Sequence, residues 1–462
     1  MQSLPRQSLD TCDIVLVSCY ELGHEPLGVL TPAGVFDRAG LNARVVDVAM
    51  DDFDPDTVAN VPLVAISTPM HTALRLGTRV AALVREINPA AHICFFGLYA
   101  ELHREHLLGR LADTCLGAES ESDLLLLARR IRESAHVPPR SLTLPVTPRD
   151  ARAPRERTLD LAPRRTPGTA EPRYAKLCHH GKQVPTGYVA ATRGCKHLCA
   201  HCPIPAAYDG RFYALPTDRI LSDIDAVVAQ GARHITFADA DFLNGPTHAL
   251  RIARELHRRH PSVTFDYTAK IEHLHRHGPV VDELQALGNI FVVSAVESFN
   301  DDVLHRLNKG HTVEHALTVI RAFKQRGLTL RPSLMPFSPW ETRASLARLF
   351  EIVAEEDLVE CIDPVQYSIR LLLPAGSLLM RDTAVAALAG PFDRERFTHP
   401  WSHLDPDMDA LQVRLAAIAT DHAAAPASET FLRMAALVSP GRVLRISPRR
   451  GESPRLSEDW FC

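Results

Sequence analysis

Residues 192–205 read TRGCKHLCAHCPIP and hold three of the chain's ten cysteines, Cys195, Cys199 and Cys202, with no fourth close by. Thiolates are soft ligands that select zinc, copper(I) or iron-sulfur clusters. A structural zinc needs four closed ligands, usually from two knuckles a dozen or more residues apart, and this chain has a single triplet. His197 and His201 could complete such a site in principle, but both lie inside the cysteine loop, so all four donors would have to close tetrahedrally within eight residues. A cubane cluster held by three thiolates instead leaves one iron without a protein ligand, a position that a bidentate small molecule can take. A non-catalytic protein whose thiolates hold zinc, and whose front region senses a ligand, is the competing class.

Working outward, the loop follows GYVAATRGC, the first of six apolar runs; the others are HITFAD, VTFDYTA, NIFVVSAVES, LTLRPSLMPF and PVQYSIRLLL. Between them lie segments of helical period. From Thr217 to Gln230, Ile220, Leu221, Ile224, Val227 and Val228 share one face and Gly231 stops the helix. Six strands each followed by a helix predict a partial (β/α)6 barrel, whose chemistry sits on the loops after the strands. Upstream, DIVLVSCY, ARVVDVAM, LVAISTPM and HICFFGLYA read as buried strands, and Leu76, Val80, Leu83, Val84 and Ile87 fall at helical spacing before Asn88 and Pro89. That order predicts a doubly wound parallel sheet with ligand loops at SCYELGHEPLG, STPMHT and GLYAEL. Residues 136–175 are dense in Pro and Arg without either period, and predict an exposed, solvated linker. The expected fold class is therefore α/β: a Rossmann-type domain over 10–135, a linker over 136–180, a barrel over 181–388, and a mainly helical C-terminal region and tail over 389–462 without further strands.

A length of 462 residues, 46% hydrophobic and 23% charged, exceeds what one core usually organises. The net charge of −4 offers no broad basic surface, which weighs against nucleic acid as a partner and against a polybasic membrane signal. The first residues lack the pattern of a secretory signal, and no window approaches the roughly 20 apolar residues of a spanning helix, so a soluble cytoplasmic protein is expected. Cys12, Cys19, Cys94, Cys115, Cys178 and Cys361 read as packed small hydrophobes, and His273, His275 and His277 as a solvated turn.

The C-x-x-x-C-x-x-C spacing at Cys195, Cys199 and Cys202 resembles the signature of the radical S-adenosylmethionine (radical SAM) enzymes. The resemblance implies a [4Fe-4S] cluster on those cysteines whose open iron binds the amino and carboxylate groups of S-adenosylmethionine, reductive cleavage to methionine and a 5′-deoxyadenosyl radical, and a reductant such as flavodoxin or ferredoxin. His201 stands where the family usually has an aromatic residue along the adenine. FADADFLNG resembles the acidic-plus-Phe pattern of the cobalamin-type branch at Asp239 and Phe242, with Asp239 expected to orient cofactor or substrate. AVESFNDDVLHRLNKGHT resembles the segment that places Glu297 and Ser298 on the ribose and methionyl groups; helix capping is the alternative for Ser298 and Asn300, and a solvated helix end for Lys309. Arg370 is a further candidate for cofactor binding.

The front domain looks like the cobalamin-binding domain that often precedes such a barrel. The D-x-H-x-x-G motif is absent, since the surroundings of His24 do not match it, so cobalamin would bind without a histidine or the domain would be a scaffold. His71 would contact a corrin edge or cap its turn. Over nearly the full length, SCYELGHEPLG, PMHTALRLG, RGCKHLCAHCPIP, SAVES and DPVQYSIRLLLP resemble the CUAEP/CCAEP-tail radical SAM proteins, in which a Trp-Phe-Cys run precedes Cys or selenocysteine and Ala-Glu-Pro. That resemblance implies a selenocysteine after Cys462 and a redox pair at the tail. The expected activity is radical chemistry on a small molecule or peptide: methyl transfer if cobalamin is bound, rearrangement or coupling if not.

Overall fold

The computed structural model describes residues 12–134, 138–142, 162–165, 173–446 and 453–457. The chain divides into two compact units, Met1–Glu21 with Pro26–Thr166, and Leu22–Glu25 with Pro167–Cys462.

In the first unit β1 (Ile14–Ser18), β2 (Ala43–Asp47), β3 (Leu63–Ser67), β4 (His92–Phe96) and β5 (Thr114–Leu116) form one sheet in the order β2-β1-β3-β4-β5. Every pair is parallel. β1, β3 and β4 are buried at each residue, which is why they read as continuous apolar runs without alternation. The helix His71–Ile87 crosses from β3 to β4 and buries Ala73, Leu74, Gly77, Val80, Ala81 and Val84. Leu83, which spacing grouped with Val80 and Val84, is 45% exposed.

In the described parts of the Pro/Arg-rich stretch Pro138, Arg140 and Ser141 are exposed, as a solvated linker would be, but other residues are anchored. Arg164 donates through Nη1 to the Ala43 carbonyl at 2.7 Å and through Nε to Asp37 at 2.6 Å. The Pro139 carbonyl meets His92 Nδ1 at 2.7 Å. Gly34 records the close approach on the other side, since a Cβ there would lie 2.2 Å from the Ala162 carbonyl oxygen. The guanidinium fork explains the anchoring: its rigid donors match a carboxylate and a carbonyl at once.

The second unit opens with a hairpin that the linker assignment missed, β6 (Lys176–His179) and β7 (Lys182–Val189). Its two-residue turn is His180-Gly181, both with positive φ (52° and 68°), as a primed turn requires. After the short pair β8 (Thr192–Gly194) and β9 (Phe212–Ala214) come β10 (His234–Phe237), β11 (Thr264–Thr268), β12 (Asn289–Glu297) and β13 (Thr329–Leu334). The curled sheet runs β13-β12-β11-β10-β7-β6-β14, parallel from β7 to β13. β14 (Arg455–Leu456) lies antiparallel on β6, although no strand was expected beyond Pro391.

The sixth expected strand, PVQYSIRLLL, is also corrected. Pro364–Ser368 is a 3-10 helix, and only a parallel bridge between Phe337 and Arg370 continues the sheet. Pro332 within β13 has no N–H to give a further neighbour, which confines that strand to an edge. The Gln366 side chain replaces part of the missing ladder by accepting from the Leu334 N–H at 3.0 Å. The helices Pro406–Asp421 and Ala427–Val438 close the core with Met408, Leu411, Phe431 and Met434. No described helix is long and apolar enough to cross a membrane. Cys462 lies outside the described residues.

Candidate metal centre

The cysteine loop leaves β8 at Gly194, whose φ of +77° an L side chain rarely adopts. A Cβ there would also stand 2.5 Å from the Tyr208 ring and 2.6 Å from the Arg211 carbonyl oxygen, so glycine is required immediately before Cys195. Two residues earlier, the strand is held by Asp239. Its Oδ2 accepts from the Ala191 N–H at 3.0 Å and its Oδ1 from the Thr192 hydroxyl. Burial pushes the Asp239 carboxyl up to about 6 against the lowering effect of those hydrogen bonds. Its visible work is therefore to fix the entry to the loop.

Cys195 and Cys199 are buried and Cys202 is half-buried. Burial pushes the Cys195 thiol up, and the Cys202 thiol up to about 12. Such thiols give their protons up to a bound metal far more readily than to water. Asn244, after β10, ties the loop down: its Oδ1 accepts from the Lys196 N–H at 3.3 Å and its carbonyl from Lys196 Nζ at 3.0 Å. On the far side Asn308 donates to the Leu198 carbonyl at 2.9 Å, and the Ala200 N–H donates to the Leu307 carbonyl at 2.9 Å. The other described cysteines lie elsewhere: Cys12, Cys19, Cys94 and Cys115 in the first unit, Cys178 on β6, and Cys361 beside Ser453.

The structure brings His201 and Glu297 together. His201 Nε2 lies 3.2 Å from Glu297 Oε1, and Lys309 Nζ is 3.1 Å from the same oxygen. Burial works to raise the Glu297 carboxyl, but the Lys309 ammonium and the His201 imidazole outweigh it and hold the group well below the usual carboxylate range. Lys309 is 2% exposed, which corrects its reading as a solvated helix end. Burial opposes its charge, and the Glu297 carboxylate more than offsets this. Ser298, fully buried, donates to Glu341 Oε1 and accepts from the Asn300 N–H at 3.1 Å, while Asn300 caps the helix Asp301–Arg306. Arg370 is already engaged. It meets Asp409 at 2.6 Å and stacks on Trp401, with Cζ 3.5 Å from the ring centroid.

Sequence spacing missed a second constellation beside the loop. His273, fully buried, lies 2.8 Å from Asp241 Oδ2 through Nδ1 and 3.2 Å from His197 Nε2 through its own Nε2. His197 Nε2 is 3.6 Å from the same Asp241 oxygen. The expected solvated turn holds for His275, which is exposed, and fails for His273. The available signal was the helix Ile271–Arg276, which buries Ile271, His273 and Leu274 together.

Asp239 to Asn244, Lys270 to His273 and Glu297 to Ser298 all lie at the carboxyl ends of parallel strands, where this architecture places its chemistry. Residues 189–351 match the family described as the radical SAM superfamily. The chain is 23% identical over 184 residues to the ribosomal protein uS12 methylthiotransferase RimO of Clostridium botulinum (strain Loch Maree / Type A3), covering 37% of this chain and 40% of that protein. It is 24% identical over 195 residues to a tRNA-2-methylthio-N(6)-dimethylallyladenosine synthase of Fusobacterium nucleatum, covering 39% of this chain and 41% of the other. It thus spans about two fifths of these relatives' lengths. Among solved structures, the cobalamin-dependent S-adenosylmethionine radical enzyme OxsB with aqua-cobalamin and S-adenosylmethionine superposes with a TM-score of 0.65, at 12% identity, covering 90% of this chain and 70% of that one. The radical S-adenosylmethionine methyltransferase TsrM of Kitasatospora setae, with cobalamin and a [4Fe-4S] cluster, gives 0.58 at 17% identity, covering 75% and 70%. At those identities the likeness is one of fold.

Proposed function

We propose that this chain, a member of the radical SAM superfamily through residues 189–351, is an enzyme that holds a [4Fe-4S] cluster on Cys195, Cys199 and Cys202 and uses it on S-adenosylmethionine. The observation that carries the reading is the donor set: three buried or half-buried thiols on one loop, with the other described cysteines placed elsewhere. When bound, the cluster supplies the electron that splits the sulfonium into methionine and a 5′-deoxyadenosyl radical.

The chain's own residues provide the seat. His201 lies within the loop and keeps a buried Nδ1 without a hydrogen-bond partner among the described residues, which suits a flat, hydrogen-bonding cofactor such as adenine. Glu297, kept ionised by Lys309, offers a fixed carboxylate to hydroxyl or ammonium groups. Ser298 and Asp239 act as positioning residues. Arg370 would reach a cofactor only by leaving Asp409 and Trp401.

For the first unit, the reading supported by its strand order is a cobalamin site at the switch between β1 and β3. The ring of His24 is engaged elsewhere, stacked on Tyr188 with ring centroids 4.1 Å apart, and its surroundings lack the D-x-H-x-x-G pattern of a cobalt ligand. The substrate would be a small molecule or peptide, and a flavodoxin or ferredoxin the electron donor. With cobalt present the reaction would be methyl transfer; without it, rearrangement or coupling. The tail resemblance adds a selenocysteine codon after Cys462, which reading the next codons of the gene decides. The activity is tested by anaerobic reconstitution, reduction and assay of 5′-deoxyadenosine. The wild type should form it and Cys195→Ala should not; equal formation in the two would overturn the proposal.

A further inference from the structure

We propose that His197, Asp241 and His273 form a site for one divalent transition-metal ion, zinc or iron(II), distinct from the three thiols although His197 lies on their loop. Their ligand atoms all lie within 4.8 Å of one another. With His273 offering Nδ1, its contact to Asp241 Oδ2 at 2.8 Å and that of His197 Nε2 to the same oxygen at 3.6 Å lie on either side of the edge of about 3.3 Å that a tetrahedron of 2.0–2.1 Å metal–ligand bonds has, while His273 Nε2 faces His197 Nε2 at 3.2 Å. Two imidazoles and a carboxylate are the donor set that suits zinc or iron(II).

A second observation points to a ligand. Asp241 Oδ2 and His273 Nδ1 are both buried, 2.8 Å apart, and yet neither makes a hydrogen bond among the described residues. A relay from Asp241 through His273 to His197 would need that contact aligned as an N–H···O bond, and it is not. Leaving two such atoms unpaired in the interior is costly, and a shared cation removes the cost. The supporting shell is also present. Asp241 Oδ1 accepts from the Leu243 N–H at 3.0 Å, which fixes the carboxylate. Glu272 faces the outer nitrogen of His197, Nδ1, at 3.6 Å, the place where a metal-bound histidine usually meets an outer carboxylate. Lys270, the nearby cation, is turned to Glu272 at 3.5 Å. Such an ion would pin the middle of the cysteine loop to the ends of β10 and β11.

The proposal does not depend on the cluster: iron and sulfide report on that, and zinc reports on this. Zinc is the probe because it outcompetes iron(II) at nitrogen and oxygen donors. Full-length, tag-free protein with its cluster reconstituted is equilibrated with zinc, desalted, and analysed for metals and by zinc X-ray absorption. The expected result is one zinc per chain with a shell of nitrogen and oxygen at about 2.0–2.1 Å, and at least tenfold less zinc in His273→Gln. Asp241→Asn, read the same way, serves if His273→Gln loses its iron as well. No retained zinc, sulfur scattering at about 2.3 Å, or full zinc in the variants would overturn the proposal in favour of a metal-free histidine pair or a zinc on the cysteines.

Discussion

Glu297 ends β12 with a φ of +66°, in the left-handed region that a residue with a side chain seldom occupies. The register between β12 and β13 shifts between Ala295 and Glu297, so the strand bulges there and re-aims the carboxylate toward His201 and Lys309. Backbone strain and a buried ion pair thus meet at one residue, which is how a site stores geometry. Lys309→Met should leave the Glu297 carboxylate without its ammonium partner and with His201 alone beside it, and destabilise the second unit by up to about 3–5 kcal/mol, read from the midpoint of denaturant unfolding. The double variant Lys309→Met/Glu297→Gln should recover part of the loss; equal stability of wild type and single variant would deny the pair its role. Glu21 gives a second test at this scale. Burial, opposed by the Gly28 N–H and aided by Asp47, pushes its carboxyl up to about 8 from 4.5. Between those values the folded chain keeps a proton that the unfolded chain has released, so stability falls as pH rises through the window and levels off above it. Glu21→Gln keeps an acceptor for Gly28 and cannot titrate. The variant should therefore gain melting temperature relative to wild type from about pH 5 to about pH 8, and a constant difference would contradict the assignment.

The element on which the proposed function turns is the loop between β8 and the helix Ile204–Tyr208, and its shape is set at Gly194. Gly194→Ala places a Cβ against Tyr208 and the Arg211 carbonyl, so the loop must shift. Iron bound per chain after reconstitution should fall several-fold in that variant while far-UV circular dichroism stays unchanged; undiminished iron would show the loop tolerant. The cysteine spacing and the parallel strands were legible because thiol softness and burial on both faces leave direct marks in sequence. What was illegible depended on side chains standing in for backbone. Gln366 completes a ladder that apolar content alone suggested PVQYSIRLLL would complete. Arg164 fastens a stretch whose composition spoke only of a linker. His273 turned inward within a run of alternating histidines, and its partners Asp241 and His197 come from loops far apart in sequence. Replacing Gln366 with Ala should cost about 1–3 kcal/mol, as the buried Leu334 N–H loses its acceptor, and an unchanged unfolding midpoint would make that bond irrelevant.

At the scale of the whole molecule, a parallel five-stranded unit and a curled seven-stranded unit share one chain, and each was foreseen in class if not in every strand. The central claim concerns a cubane anchored at three corners. Mössbauer spectroscopy of the protein reconstituted anaerobically with iron-57, before and after S-adenosylmethionine, tests it most directly. The account predicts a [4Fe-4S] spectrum in which one iron differs from the other three and shifts when S-adenosylmethionine is added. A spectrum without a cubane, or one whose four irons stay alike and ignore the nucleotide, would contradict it.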